Sequence, residues 1–144
     1  MASSAVRLLT AADGPEALIL YNELTVGPPA QDPTTISTVI DHPGTCVFGA
    51  FSGAQLASMV TLHLLPNVLW DGRPYALIEN VVTRAVFQRR GFGRQVMETA
   101  VAAAWAANAH KIMLMTGTAR HATGFYEAVG FTSKGKAAMV IQQD

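Results

Sequence analysis

Between Tyr75 and Thr116 the hydrophobic period of the sequence changes twice. YALIENVVT, Tyr75–Thr83, is dense in apolar and β-branched residues, as a strand requires. From Phe92 onward Val96, Met97, Ala100, Val101, Ala104 and Trp105 recur at the three- and four-residue spacing of a helix face. KIMLMT, Lys111–Thr116, is then a continuous apolar run, consistent with a buried strand. A strand, a helix and a strand in this order form a crossover, which sets the two strands parallel. The chain is thereby confined to mixed α/β folds.

The segments before the crossover predict helices and an antiparallel meander. VRLLT, Val6–Thr10, reads as a short strand. Asp13 caps a helix with Pro15 in its first turn, and the helix runs through Leu18, Ile19, Tyr21 and Asn22. Val26-Gly27-Pro28-Pro29 stops it, and a second short helix spans Thr34 to Asp41. Thr45–Phe51 and Leu56–Leu65 read as a hairpin turned at Ser52-Gly53. Pro66-Asn67 and Asp71-Gly72-Arg73-Pro74 frame a loop holding Leu69 and Trp70, which suits a partner surface, a lid, or a loop folded back on the core. After the crossover a helix over Thr123–Val129 ends at Gly130, and a last strand is expected over Ala138–Ile141. With no repeats and 144 residues, one domain over 1–144 is expected. Its fold class is α/β, with a mixed, mostly antiparallel sheet flanked by helices.

Composition narrows the function. Half the residues are hydrophobic and 14% are charged, which builds a core and argues against disorder. The net charge is zero, which argues against a general nucleic-acid binder. Cys46 is the single cysteine, so no internal disulfide forms. It reads as a small buried hydrophobe, because no His or Asp stands beside it in a nucleophile's arrangement. No His/Cys/Asp cluster has ligand spacing, so no metal is expected. The N-terminus lacks a signal-peptide core and no apolar stretch is long enough to cross a bilayer. A cytoplasmic protein with no membrane partner is the expectation.

The joint of the crossover concentrates charge and backbone freedom. Gln88-Arg89-Arg90-Gly91-Phe92-Gly93-Arg94 holds three of the ten Lys and Arg residues. A glycine-rich turn opening a helix is an anion device, because unpaired N–H groups and the helix dipole face the turn. Arginines add charge-assisted bonds. The plain alternative is a helix with a solvated basic first turn. That leaves Arg89, Arg90 and Arg94 at the positive end of the dipole, where an anion resolves the conflict. An ATP-type P-loop is missing its Gly-Lys-Ser/Thr, and a dinucleotide fingerprint has Val96 where a small residue belongs.

Gln88, Gly91 and Gly93 fit the spacing Gln/Arg-x-x-Gly-x-Gly/Ala. IENVVT stands before it, an amphipathic helix and an apolar strand after it, and then Phe125-Tyr126-Glu127-Ala128-Val129-Gly130-Phe131. In this order, over Ile78 to Phe131, the sequence resembles the GNAT superfamily of N-acetyltransferases. The resemblance implies acetyl-CoA as co-substrate, lying between two splayed parallel strands. It implies that the backbone of Val81, Val82 and Thr83 pairs with the pantetheine arm, while Val81 and Val82 also pack as core. It places the pyrophosphate on Gln88, Arg89, Arg90, Gly91, Phe92, Gly93 and Arg94, with Arg89 or Arg90 reaching the 3′-phosphate.

It also implies that Tyr126 protonates the departing sulfur, against a core tyrosine that only binds the cofactor. Glu79 interrupts an apolar strand beside this segment. A buried carboxylate there has a raised pKa, suited to a base, against an orienting or structural role. A backbone N–H of Val81 or Val82 polarises the thioester carbonyl. Where the family often has an asparagine, this chain has Ala119, and Arg120 beside it replaces that contact or binds an acidic group. His121 reads as a helix-start cap or a base, and His63 and Asn80 line the acceptor side. The resemblance thus implies an acetyl-CoA-dependent N-acetyltransferase, a homodimer like many small bacterial-type members, acting on a small-molecule primary amine. The rival readings are a protein acetyltransferase for lysine or an N-terminus and a non-catalytic acyl-CoA sensor.

Overall fold

The computed structural model describes residues 5–24, 27–118 and 122–143. Two compact units divide between Leu114 and Met115. In the first, the order is β1 (Ala5–Leu8), α1 (Gly14–Glu23), α2 (Thr35–Ile40), β2 (Thr45–Ser52), β3 (Gln55–Leu65), β4 (Tyr75–Thr83), α3 (Phe92–Ala106) and β5 (Ile112–Met113). The second holds α4, Thr123–Ala128.

The five strands lie side by side in chain order. The first four are antiparallel neighbours, and β4 pairs with β5 in parallel. This is the mixed, mostly antiparallel sheet that the crossover and the meander predict. The hairpin turns at Gly53, whose φ of +61° suits glycine. Asp13 precedes α1, with a proline in the first turn, but its carboxylate does not cap that helix. It accepts two bonds from the Arg7 guanidinium at 2.8 and 2.9 Å and one from the Thr10 N–H at 2.7 Å. The Arg7 bonds hold the Asp13 carboxyl down at a pKa of about 2.

Helices α1 and α2 cover one face of the sheet. Ala17, Leu20 and Ile36 pack there with Val47, Phe51, Leu56, Met59 and Val82. Val60, Leu62 and Ile78 alternate to the other face, where α3 buries Val96, Met97, Ala100 and Ala104. The centre of the predicted stripe of α3 is therefore its buried stripe, with Phe92 and Val101 partly buried and Trp105 half-exposed at its edge.

Two sequence expectations change. The predicted strand Lys111–Thr116 shrinks to Ile112–Met113, paired with Ala76 and Leu77. Beyond that point β4 bulges, so an edge strand running straight on loses its ladder. The expected strand Ala138–Ile141 is absent, and Met139, Val140 and Ile141 are exposed. The run has strand composition but pairs with no strand among the described residues. The Leu69–Trp70 loop also remains exposed, with Trp70 stacked on His110 at 5.2 Å between ring centroids.

Candidate functional site

The site begins with a defect in β4. Thr61 of β3 stands opposite Glu79 and Met59 opposite Val82, so one residue of β3, Val60, faces two of β4, Asn80 and Val81. Asn80 absorbs the extra length with a left-handed φ of +53°, which asparagine tolerates better than most residues. The added residue keeps Glu79 and Val82 on the same sheet face, that of α1 and α2.

Past the bulge the strand has two differently occupied edges. The Ser58 hydroxyl donates to the Val82 carbonyl at 3.0 Å, and the Arg84 N–H donates to the Ala57 carbonyl at 2.8 Å. Both fix their groups toward β3. In a planar trans peptide the C=O and N–H point in opposite directions. The N–H and C=O of Thr83 therefore point away from β3, and alternation within the segment past the bulge turns the Val81 carbonyl the same way. Among the described residues no strand pairs with β4 on that side beyond Leu77. Of the two valines named from sequence, Val81 offers its backbone to the open edge, while Val82 is engaged with β3 and buried.

The open edge leads directly to the basic joint. The Gln88 side-chain amide donates to the Thr83 carbonyl at 3.3 Å, folding the loop back on the strand. Phe87 and Phe92 meet edge to face at 5.7 Å, and the Arg90 guanidinium lies over the Phe87 ring. Arg89 and Gly91 both take left-handed backbones, with φ of +64° and +87°. Gly91 is the N-cap of α3, and no side chain caps the helix. The first-turn N–H groups at Phe92, Gly93 and Arg94 thus keep their capacity to bind an anion. Arg89 and Arg90 are exposed beside them. The Arg94 side chain is instead paired with Glu98 at 2.8 Å, so its place at the joint is held by its backbone.

Glu79 is exposed, which corrects the buried carboxylate expected from its apolar neighbours. Ile78 and Val82 are buried as predicted. Glu79 shares the α1–α2 face with Thr61, and the next residue, Asn80, lines a cleft that leaves this stretch of strand uncovered. The cleft has a volume of about 540 Å³ and lies among α1, the connection to α2, α2 itself and Asn80. Asn80 is thus on the cleft. His63 is engaged elsewhere, its Nδ1 2.8 Å from the Thr45 hydroxyl, which also meets His42.

Sequence reasoning missed the wall of this cleft. Asn22 donates to the Ala30 carbonyl at 3.0 Å and accepts from the Ala30 N–H at 2.8 Å, so one side chain holds the loop as a strand partner would. The available signal was an asparagine near a helix end followed by a Gly-Pro-Pro break.

Tyr126 lies in the second unit, on α4. The Phe131 N–H donates to the Tyr126 carbonyl at 3.1 Å and the Gly130 N–H to that of Glu127 at 3.0 Å, with Gly130 at φ +106°. This is a Schellman ending, and it explains why glycine and an aromatic follow the tyrosine at that spacing. The Tyr126 ring is half-buried, edge-on to Phe125 and Phe131. Arg120, Ala119 and His121 lie outside the described residues.

The described residues offer no group of three His, Cys, Asp or Glu side chains able to hold a metal, and no helix long and apolar enough to cross a membrane. What they do form is an open strand edge running into an uncapped helix start, the shape for an extended ligand that ends in phosphate.

Comparison with known proteins gives this shape a context. No curated protein matches the chain. Among solved structures, a protein from Agrobacterium tumefaciens str. C58 described as a "Putative acetyltransferase" is 33% identical, with TM-score 0.90 over 96% of this chain and 99% of that one. Glucosamine-6-phosphate N-acetyltransferase from Arabidopsis thaliana has the same fold at 18% identity, with TM-score 0.83 over 98% of each chain. An aminoglycoside acetyltransferase from an uncultured soil metagenomic sample does so at 14% identity, with TM-score 0.83 over 97% of this chain and 95% of that one. The family model for Acetyltransferase (GNAT) matches residues 15–131, from α1 to the Schellman phenylalanine. By that match and by its fold, the chain belongs to the GNAT acetyltransferase family.

Proposed function

We propose that the protein transfers an acetyl group from acetyl-CoA to the primary amine of a small molecule. The observation that carries this reading is the continuity of the β4 edge with the α3 N-terminus. Thr83 and Val81 turn backbone groups to the open side, and a few residues later the helix presents uncapped N–H groups flanked by Arg89 and Arg90. An amide-bearing arm pairs with the first and a pyrophosphate with the second. Small acceptors are favoured by the two relatives whose names specify aminoglycoside and glucosamine 6-phosphate, and by a cleft of small-molecule size.

When bound, acetyl-CoA supplies an acetyl thioester, and the amine displaces the thiol to leave an amide. The amine has to shed a proton, since an alkylammonium has a pKa of about 10. Glu79, exposed on the cleft face, takes that proton directly or through water. The Val81 N–H is the donor for the carbonyl oxygen. Tyr126 gives the thiol its proton in this reading.

Calorimetric titration with acetyl-CoA and with 3′-dephospho-CoA, alongside a thiol-release assay over an amine panel, tests the proposal. Acetyl-CoA binding with thiol release on at least one amine is expected. Absence of acetyl-CoA binding would sink it, and binding without turnover on any amine would make the protein a sensor.

A further inference from the structure

The cleft beside Asn80 carries information about the acceptor, because its polar groups are nearly all committed. The Asn22 amide is spent on both backbone groups of Ala30. The Thr35 hydroxyl donates to the Asp32 carbonyl at 2.8 Å. Burial raises the pKa of the Tyr21 hydroxyl, which lies by Thr61, whose side chain favours the ionised form. What these residues present to the cleft is aromatic ring and methyl, continued by Leu24, Pro28, Pro29, Ile36 and Val39. None of the described lining residues is charged. Asn80 is the one lining side chain with an amide and no hydrogen-bond partner among the described residues.

A polar group left unpaired on binding costs more than a matched one returns. A ligand with several ammonium groups, or with a phosphate, would lose hydration here and find no counter-charge among the described lining residues, with Glu79 next to Asn80 able to meet one ammonium at most. An apolar body gains by entering, and one polar substituent finds the Asn80 amide. Asn80 also immediately precedes Val81, so a body held there has its amine at the start of the donor segment. Glu79, one residue earlier, is left for the proton of the reacting amine.

We infer that this cleft is the acceptor subsite and that its substrates are primary amines on an apolar, preferably aromatic, body with at most one further polar group, oriented by the Asn80 side chain. The inference rests on the acetyl-transfer reading and narrows it. It sets this chain apart from the two small-molecule relatives, whose names specify a polycationic and a phosphorylated acceptor.

The experiment compares 2-phenylethylamine and tryptamine with an aminoglycoside, glucosamine 6-phosphate and a lysine-containing peptide, by kcat/KM for thiol release. The arylalkylamines are expected to lead by about tenfold or more, the scale a pocket achieves by apolar fit and mismatched charge. Equal or better turnover of the aminoglycoside, the sugar phosphate or the peptide overturns the inference. Asn80→Asp keeps the left-handed backbone accessible while adding a charge, and should reduce the ratio of phenylethylamine to aminoglycoside turnover by about tenfold. An unchanged ratio removes Asn80 from acceptor selection. A reading independent of turnover is the Asn80 side-chain amide signal on titrating phenylethylamine into the protein alone. A shift without thiol release on any amine supports the cleft and sinks acetyl transfer. No shift with any arylalkylamine overturns the cleft assignment.

Discussion

Glu23 accepts the Ala85 N–H through Oε2 at 2.8 Å, joining the last residue of α1 to the turn that leads into the basic joint. The helix that walls the cleft therefore also holds the turn that leads into the basic joint. Glu23→Ala should raise the KM for acetyl-CoA several-fold with little change in kcat, and cost about 1 kcal/mol of stability, the usual worth of such a bond. Glu23→Gln keeps an acceptor oxygen and should recover most of both. An unaltered KM in Glu23→Ala would show that the turn holds its own shape.

Gly91 has φ +87° and nothing within 4 Å of where a Cβ would sit. The cost of a side chain there is conformational alone. Gly91→Ala should lose about 1–2 kcal/mol and weaken acetyl-CoA binding, while Gly91→Asn should lose less, since asparagine enters the left-handed region more readily. Thermal melts and titrations on both variants decide this. Equal losses would mean that bulk, and not backbone strain, sets the penalty.

Reversing Arg90 to Glu should weaken acetyl-CoA binding by about tenfold or more at low salt, and the difference from wild type should narrow as salt rises, since the side chain is exposed. The 3′-dephospho form should show a smaller difference. Identical affinities for the two proteins would take that side chain off the phosphate.

Tyr126→Phe retains the ring packing against Phe125 and Phe131 and removes only the hydroxyl. If the hydroxyl protonates the departing sulfur, kcat should fall by about a hundredfold with acetyl-CoA affinity nearly unchanged. Matching losses in kcat and affinity would assign the group to binding.

Stability should have an acid limb at Asp13. Its folded pKa is lowered to about 2 from 3.8, chiefly by the hydrogen bonds from Arg7. A depressed folded pKa means that the stabilisation is present above the unfolded value and is lost as pH falls from about 3.8 towards 2. Asp13→Asn should be less stable at neutral pH and show a shallower decline across that window. Superimposable pH–stability curves would falsify the assignment.

The backbone plan was legible wherever a residue's role is local. Tyr75–Thr83, the α3 stripe and the Gly130 ending all follow from period and turn chemistry, and each stands where the sequence puts it. QRRGFGR stood out because charge and glycine meet at a helix start, and that helix start has no side-chain cap. The cleft was not legible. Its wall depends on Asn22 meeting Ala30 and its floor on Asn80 reaching α1, contacts that only the folded chain creates. Glu79 looked buried because its neighbours are apolar, yet its side chain is exposed, since apolar neighbours in the sequence do not cover a residue that the folded chain leaves open. Lys111–Thr116 and Ala138–Ile141 have strand composition, but a strand also needs a partner.

The bulge at Asn80 works as a spacer in the strand's reading frame. Ahead of it, odd-numbered positions face α1 and α2; behind it, even-numbered ones do. Exchanging the side chain at position 80 retunes one surface and leaves the other alone. Losing the residue would restore one-to-one pairing, with Val81 opposite Val60 and Val82 still opposite Met59, so Val82 and Thr83 would keep their faces and only the local bend of the strand would go. At this point in β4 the extra residue shapes the path of the backbone, while the pairs on either side decide which side chains face the core.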